Sequence, residues 1–381
     1  MNITQLTTPA FVLDESLLRN NLKLLAVIQE RAGIDIILAF KGFAMWSTFP
    51  LVAQYLKGAS ASSLAEARLA FEEFGVKAHT YSPAYLPNEF NELLAYSSHI
   101  TFNSLTEFAR WFPVVQAFDP PISCGLRVNP GYSPVEVDLY NPCANGSRLG
   151  IDSDELGDTL PLGVEGLHFH ALCESGAEDL ERVIAAFETR YAKFLPNLKW
   201  INMGGGHLIT RKGYDIERTI QILSEFKKKW GLHIILEPGS AIAWETGVLV
   251  ASVLDIVTRK GITTAMLDTS FTAHMPDTLE MPYRPRILGV TDPQLHNTDG
   301  KHLYRLGGVS CLAGDFHAEY AFDKPLEVGD KLVFLDMIHY TMVKTTTFNG
   351  VTHPTILIYT EDNEFKLIRE FGYLDFKNRL S

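Results

Sequence analysis

Two charged side chains stand directly after short apolar runs of this sequence. Lys41 follows the run IDIILAF at residues 34–40 and precedes Gly42. An amine that emerges from a buried strand into a shielded pocket can form a Schiff base with a carbonyl compound. Glu237 ends a second apolar run and begins the motif EPGS. A carboxylate in that position can accept a hydrogen bond from a protonated ring nitrogen, which predicts a heterocyclic ligand.

Glycines at two places predict a site for an anion. Gly204, Gly205 and Gly206 close the run WINMGGG, while Gly239 and Ser240 follow Glu237. Glycine lets the backbone approach a bound group closely, and its amides can point at a negative charge. We therefore expect the two segments to grip a phosphate from two sides, with a tight turn as the alternative at 204–206.

A pair of histidines, His168 and His170, lies in the run VEGLHFHAL. Two residues apart on a strand, they are expected to point to the same side. No third ligand has metal-binding spacing, so we expect no metal site. We expect the ring of His170 to stack on a planar cofactor, and a buried core histidine is the alternative.

The second half of the chain contains a thiol in a glycine-flanked loop. Cys311 lies in GGVSCLAGD, and Asp315 follows four residues later. The glycines and the nearby acid favour a mobile catalytic loop over a buried structural cysteine. Tyr340, upstream of the motif FNG at 348–350, offers a hydroxyl to a phosphate oxygen.

These residues fall at the ends of the elements that must position them. Eight short β-rich runs lie between residues 34 and 240, separated by segments with helical spacing of apolar residues. This alternation predicts an α/β fold in which a (β/α)8 barrel covers residues 17–242. Residues 1–16 and 243–381 are predicted to form a β-domain that completes the active site, because β-rich runs without helical periodicity follow residue 245.

Bulk composition narrows the class of partner. The net charge of −12 argues against nucleic acid or an anionic membrane, which need clustered Lys and Arg. We expect no membrane-spanning stretch and no secretory signal. The four cysteines have no metal-finger spacing, which suits free thiols in the cytoplasm. A small-molecule ligand is the expectation.

Read in chain order, the motifs together resemble the fold type III pyridoxal-phosphate decarboxylases, the group of the ornithine, arginine and diaminopimelate enzymes. The matching segments are KG at 41–42, SSLAEA, HFHALCE, NMGGG, EPGSA, GGVSCLAGD and YT with FNG. Within that group, AFKGFAMWSTFPLV and AHMPDTLEMPYRP resemble the carboxynorspermidine decarboxylases, which also act on carboxyspermidine in polyamine synthesis.

The resemblance implies an alanine racemase-like barrel, pyridoxal 5'-phosphate as cofactor and a homodimer with shared active sites. It implies that Lys41 carries the cofactor, His170 stacks on it and Glu237 holds its ring nitrogen. Cys311 would be the proton donor, supplied from the partner subunit. The remaining expected phosphate ligands are Gly204, Gly205, Gly206, Gly239, Ser240 and Tyr340. The acids expected near the substrate are Asp277, Asp315 and Glu237, and Asp277 is the candidate for a polyamine nitrogen.

Two departures from the broader group leave alternatives open. The residues after the stacking histidine include Leu172 and Cys173, and Leu312 stands where the group has an acid beside the reactive cysteine. The missing acid argues against ornithine or diaminopimelate as substrate. A diaminopimelate-type decarboxylase, an amino-acid racemase and a catalytically silent cofactor-binding protein are the alternatives, and Glu237 argues against the racemase.

Overall fold

The structure is a computed structural model that describes residues 3–381. The first two residues of the predicted segment 1–16 lie outside the described residues. Internal contacts divide the chain into two compact units. One is Arg19–Ile242, and the other runs to Leu18 and resumes over Ala243–Ser381.

The first unit is a closed barrel of eight parallel strands, which confirms the predicted fold class. Strand β1 (Ala10–Asp14) precedes it in the chain and belongs to the other unit. The barrel strands are β2 (Asp35–Ala39), β3 (Gly58–Ala61), β4 (Ala78–Tyr81), β5 (Ser97–Phe102), β6 (Ser123–Arg127), β7 (Val164–His168), β8 (Trp200–Asn202) and β9 (His233–Leu236).

Helices follow most of these strands, as the helical spacing of apolar residues predicted, but the described connection from β6 to β7 contains only a short 3-10 helix, Asp138–Tyr140. In α7, for example, the buried residues Thr219, Ile222 and Phe226 recur at intervals of three and four. The helices are α1 (Glu15–Ala32), α2 (Phe49–Val52), α3 (Leu64–Leu69), α4 (Phe90–Ala95), α5 (Leu105–Gln116), α6 (Ala177–Tyr191), α7 (Ile216–Trp230) and α8 (Ser240–Ala243).

The barrel strands end earlier than the apolar runs suggested, and this corrects one detail. Strand β7 ends at His168, so His170 lies in the following loop and not on the same strand. Likewise β8 ends at Asn202, and the three glycines belong to the loop after it. The loops that follow the strands form the mouth of the barrel. In β/α barrels, functional sites are built at this end.

The second unit is a mixed sheet built largely from the C-terminal part of the chain. Strand β1 joins it, pairing antiparallel with β10 and parallel with β15. The sheet order is β13-β12-β11-β10-β1-β15-β16, with β14 also paired to β10. The strands are β10 (Gly247–Arg259), β11 (Ile262–Leu267), β12 (His302–Gly307), β13 (Phe316–Phe322), β14 (Lys331–Leu335), β15 (Thr355–Tyr359) and β16 (Phe365–Arg369). Its helices are α9 (Phe271–His274), α10 (Asp277–Glu280) and α11 (Tyr373–Leu380).

Across residues 3–381, every helix is too short or too polar to span a lipid bilayer.

Candidate active site

A cavity at the mouth of the barrel gathers side chains from the ends of most of its strands. Lys41 reaches it from the turn after β2. Its neighbour Gly42 packs against Gly239, and a Cβ on Gly42 would lie 2.5 Å from the Gly239 Cα. Only glycine fits at position 42 without a shift of the backbone. The cavity lining consists of Phe40, Lys41, Ser60, Ala61, Ser62, Tyr81, Pro83, Arg127, Arg148, Leu149, His168, His170 and Glu237.

The environment of Lys41 favours its neutral, nucleophilic form. The amine is open to the cavity, but protein surrounds it on its other sides. This desolvation lowers the pKa of Lys41, and the negative charge of Glu237 opposes the effect in part. A lysine with a lowered pKa is suited to attack a carbonyl carbon.

Glu237 is held in place by a neighbouring amide. Asn202, at the end of β8, donates from Nδ2 to Glu237 Oε1 at 2.6 Å. Burial raises the pKa of Glu237, and the hydrogen bond from Asn202 opposes that rise. The backbone N–H of Glu237 also donates to the Gly204 carbonyl at 2.7 Å. The acid is therefore fixed from both its side chain and its backbone.

His170 has one ring nitrogen committed to the glycine loop. The backbone N–H of Gly205 donates to His170 Nδ1 at 2.9 Å. Burial, followed by the positive charge of Lys41, lowers the pKa of His170 well below its ordinary value. The imidazole is therefore neutral and fixed in orientation, as a stacking platform requires. His168 also lines the cavity, and its Nε2 lies 4.0 Å from Glu237 Oε2.

The glycine loop is bonded differently from the predicted cradle. The amide of Gly204 donates to Asn202 Oδ1 at 2.9 Å, and that of Gly205 donates to His170. Gly206 donates no hydrogen bond within residues 3–381, so its amide is the one available to a ligand. A Cβ on Gly206 would lie 2.0 Å from the Leu172 carbonyl oxygen, and its φ of 87° is left-handed, so glycine is required there.

Several cavity residues were given no role in the sequence prediction, among them Arg127 and Tyr81. Arg127, at the end of β6, is 5% exposed and donates to the His170 carbonyl at 3.3 Å. Its guanidinium lies 4.7 Å from the ring centre of Tyr81. No carboxylate of the described chain pairs with it, so it adds positive charge to the cavity. The position of Arg127 at a strand end could have identified it as a site residue. Nothing in the sequence distinguished Tyr81 or Asn202 in this way.

In the second unit, the loop that carries Cys311 is bonded to the predicted motif FNG. The backbone N–H of Cys311 donates to Asn349 Oδ1 in FNG at 2.8 Å, and its thiol is exposed. Asp315 is buried, and its two oxygens accept the amides of Thr272 and Ser310 at 3.1 and 3.0 Å. In this structure Asp315 therefore braces the cysteine loop, and its contact with substrate stays a prediction.

Tyr340 and Asp277 lie in the same unit as the cysteine loop. Tyr340 has a left-handed φ of 40°, an unfavourable conformation for a bulky residue and one often associated with functional sites. Asp277, at the start of α10, is 8% exposed. Its Oδ2 accepts hydrogen bonds from Thr341 at 2.7 Å and Tyr283 at 2.9 Å. Thr341 and Tyr283 were not predicted as site residues.

Over residues 3–381, no three His, Cys, Asp or Glu side chains are arranged to hold a metal ion.

Comparisons with known proteins agree on one family. Residues 10–338 match the family model described as pyridoxal-dependent decarboxylase, C-terminal sheet domain. A carboxyaminopropylagmatine decarboxylase from Synechocystis is 51% identical over 99% of this chain and 96% of its own length. A carboxynorspermidine/carboxyspermidine decarboxylase from Campylobacter jejuni is 45% identical over 98% of this chain and 99% of its own.

A solved structure gives the same result. It is carboxynorspermidine decarboxylase from Campylobacter jejuni complexed with norspermidine, with a TM-score of 0.90 and 44% identity. The match covers 98% of this chain and 100% of that one. The relationship therefore extends over both units and confirms the resemblance predicted from the motifs.

Proposed function

The chain belongs to the pyridoxal-dependent decarboxylases, and we propose from this premise that it converts carboxynorspermidine or carboxyspermidine into norspermidine or spermidine. The observation that carries the proposal is the meeting of Lys41, His170 and Glu237 around one cavity at the barrel mouth. The relatives named for these substrates match nearly the whole chain, which supports the choice of a polyamine-type amino acid.

The donor set of the cavity fits pyridoxal 5'-phosphate. A lysine with a lowered pKa suits an aldehyde, and a buried carboxylate suits a protonated pyridine nitrogen. The cavity also contains Arg127 without a carboxylate partner among the described residues, which suits a ligand with negative charge. The amide of Gly206, with Gly239, Ser240 and Tyr340, would hold the phosphate.

The bound cofactor supplies an electron-withdrawing ring that stabilises the electron pair left on the α-carbon when carbon dioxide departs. Lys41 would hold the cofactor covalently until substrate binds. Glu237 would keep the ring nitrogen protonated, and the hydrogen bond from Asn202 favours the ionised form of Glu237 and holds it in position. His170 supports one face of the ring. The neutral imidazole does this without placing a second positive charge beside the protonated ring.

Residues of the second unit complete the reaction in this proposal. The Cys311 thiol donates a proton to the α-carbon, where the bond to the carboxylate has broken, and the thiolate then regains a proton from solvent. Asp277 and Asp315 contact the substrate, and Tyr340 contacts the phosphate. We infer a homodimer in which Cys311 of the partner subunit serves each site. The free thiols suit the reducing cytoplasm, where we place the protein.

A second candidate substrate is carboxyaminopropylagmatine. The observation that favours it is the 51% identity to the Synechocystis decarboxylase of that name. Both candidates are amino acids with an extended cationic chain, so the barrel site would perform the same chemistry on either.

The test is carbon dioxide release by the purified, cofactor-loaded protein. The panel contains carboxynorspermidine, carboxyspermidine, carboxyaminopropylagmatine, meso-diaminopimelate and L-ornithine. We expect the highest kcat/KM with the first two. A preference for diaminopimelate or ornithine would overturn the proposal, and binding of cofactor without turnover of any substrate would indicate a silent protein.

A further inference from the structure

The carboxylate of Asp277 has two unequal oxygens. Oδ2 accepts the hydroxyl groups of Thr341 and Tyr283, at 2.7 and 2.9 Å. Oδ1 is buried and has no hydrogen-bond partner among residues 3–381. A carboxylate oxygen has about two lone-pair positions for donors, so those of Oδ2 are filled while those of the buried Oδ1 have no donor among the described residues.

The charge of this carboxylate also lacks a partner. Asp277 is 8% exposed, and no lysine, arginine or histidine of the described chain forms an ion pair with it. The next two arginines in the chain bond elsewhere: Arg284 pairs with Asp292 and Arg286 with Glu245. Lys344, three residues after Thr341, pairs with Glu280. A buried, unpaired carboxylate is costly, so such a group calls for a cation that the protein itself does not supply.

We propose that Asp277 presents Oδ1 alone to an amine nitrogen of the substrate, and that Thr341 and Tyr283 select an ammonium over a guanidinium by occupying Oδ2. This inference rests on the proposed function, since it concerns the substrate of the same reaction. It assigns a specificity role to Thr341 and Tyr283, which lie 64 and 6 residues from Asp277 in the chain.

The selection follows from the geometry of the two cations. A guanidinium binds a carboxylate best through two parallel N–H donors that need both oxygens. An ammonium is a compact charge that is satisfied by one oxygen. With Oδ2 filled, Asp277 fits the amines of norspermidine and spermidine better than the guanidinium of an agmatine group.

The first experiment removes the negative charge of Asp277 and keeps the shape of its side chain. We expect Asp277→Asn to lower kcat/KM for carboxynorspermidine by about tenfold or more, as for loss of a hydrogen bond between charged groups. The affinity of the cofactor-loaded protein for norspermidine, measured by calorimetry, is expected to fall by a similar factor. Unchanged affinity in this variant would overturn the assignment of Asp277.

The second experiment opens Oδ2. In the double variant Tyr283→Phe with Thr341→Val, both carboxylate oxygens are free. We expect the ratio of kcat/KM for carboxynorspermidine over carboxyaminopropylagmatine to fall by about fivefold or more, the effect of about one hydrogen bond. An unchanged ratio would overturn the selection by these hydroxyls.

Matched controls come from the same unit. Thr278 donates to the Met275 carbonyl and Tyr320 to the Pro285 carbonyl, so neither bonds to Asp277. Thr278→Val and Tyr320→Phe should leave the ratio unchanged. Thermal unfolding of every variant separates misfolding from altered recognition, and Tyr283→Phe alone serves if the double variant does not fold.

The outcomes separate this inference from the proposed function. If the unmodified protein decarboxylates none of the polyamine-type substrates, the proposed function fails, while calorimetry with norspermidine still tests Asp277. If it decarboxylates them but Asp277→Asn weakens all three substrates equally, Asp277 binds a nitrogen common to them. The selection of ammonium over guanidinium is then wrong.

Discussion

Asn202 links Glu237 to the glycine loop of the barrel. Its Nδ2 donates to Glu237 Oε1 at 2.6 Å, and its Oδ1 accepts from the Gly204 amide at 2.9 Å. Because the Glu237 amide donates in turn to the Gly204 carbonyl, one side chain couples the position of the acid to that of the loop.

Replacing Asn202 with Ala should therefore weaken cofactor binding. Burial already raises the pKa of Glu237, and loss of the Asn202 hydrogen bond would raise it further. A protonated Glu237 could not stabilise a positive ring nitrogen. We expect about a tenfold loss of cofactor affinity, measured by titration of the visible absorbance. Unchanged affinity and an unchanged spectrum would show that Asn202 does not position Glu237.

Lys41→Ala should remove the covalent attachment of the cofactor. We expect turnover to fall on the order of 10³-fold or more, because the variant loses the amine that would attach the cofactor and free the product from it. Borohydride reduction followed by peptide mapping should label Lys41 in the unmodified protein and no other lysine. A label elsewhere would contradict the assignment.

Cys311→Ala should slow product formation by about 10²-fold or more, as for loss of a general acid. Cys124→Ala is the control, because that thiol is buried in the barrel wall. If the active sites are shared, mixing the Lys41→Ala and Cys311→Ala proteins should restore about one quarter of the unmodified rate, since half of the dimers then contain one intact site. No recovery after verified subunit exchange would contradict a shared site.

Acid should destabilise the barrel through His207. This side chain is 1% exposed, and burial lowers its pKa from 6.5 to about 4, against the opposing effect of the backbone at Gly204 and Met203. Between these values the unfolded chain binds a proton that the folded chain does not, so stability falls as the pH drops from about 6.5 to about 4. The full effect is about 3 kcal/mol.

The measurement is the thermal unfolding midpoint as a function of pH. His207→Asn should flatten the dependence in this window, whereas the same change at the exposed His296 should not. An equal acid sensitivity in the protein and its His207→Asn variant would contradict the prediction.

The sequence by itself determined the repeating strand–helix pattern and indicated which residues are candidates for the site. Apolar periodicity is a local property, so segments such as IDIILAF and the helix around Phe226 could be recognised without their partners. Lys41 and Glu237 were recognisable as candidates because each comes at the end of an apolar run, and strand ends meet at one face of a barrel. The sequence predicted that His170 lies on a strand, whereas the structure places it in the loop after β7.

Tertiary structure decided how those residues are held. The bonds of Asn202 with Glu237 and of Gly205 with His170 each join residues 35 positions apart, and the contact of Thr341 with Asp277 joins residues 64 apart. Such contacts depend on strand register and loop path, which no local pattern encodes. The sequence identified Asp277 as a candidate. Only the fold decided which of its two oxygens has no hydrogen-bond partner among the described residues.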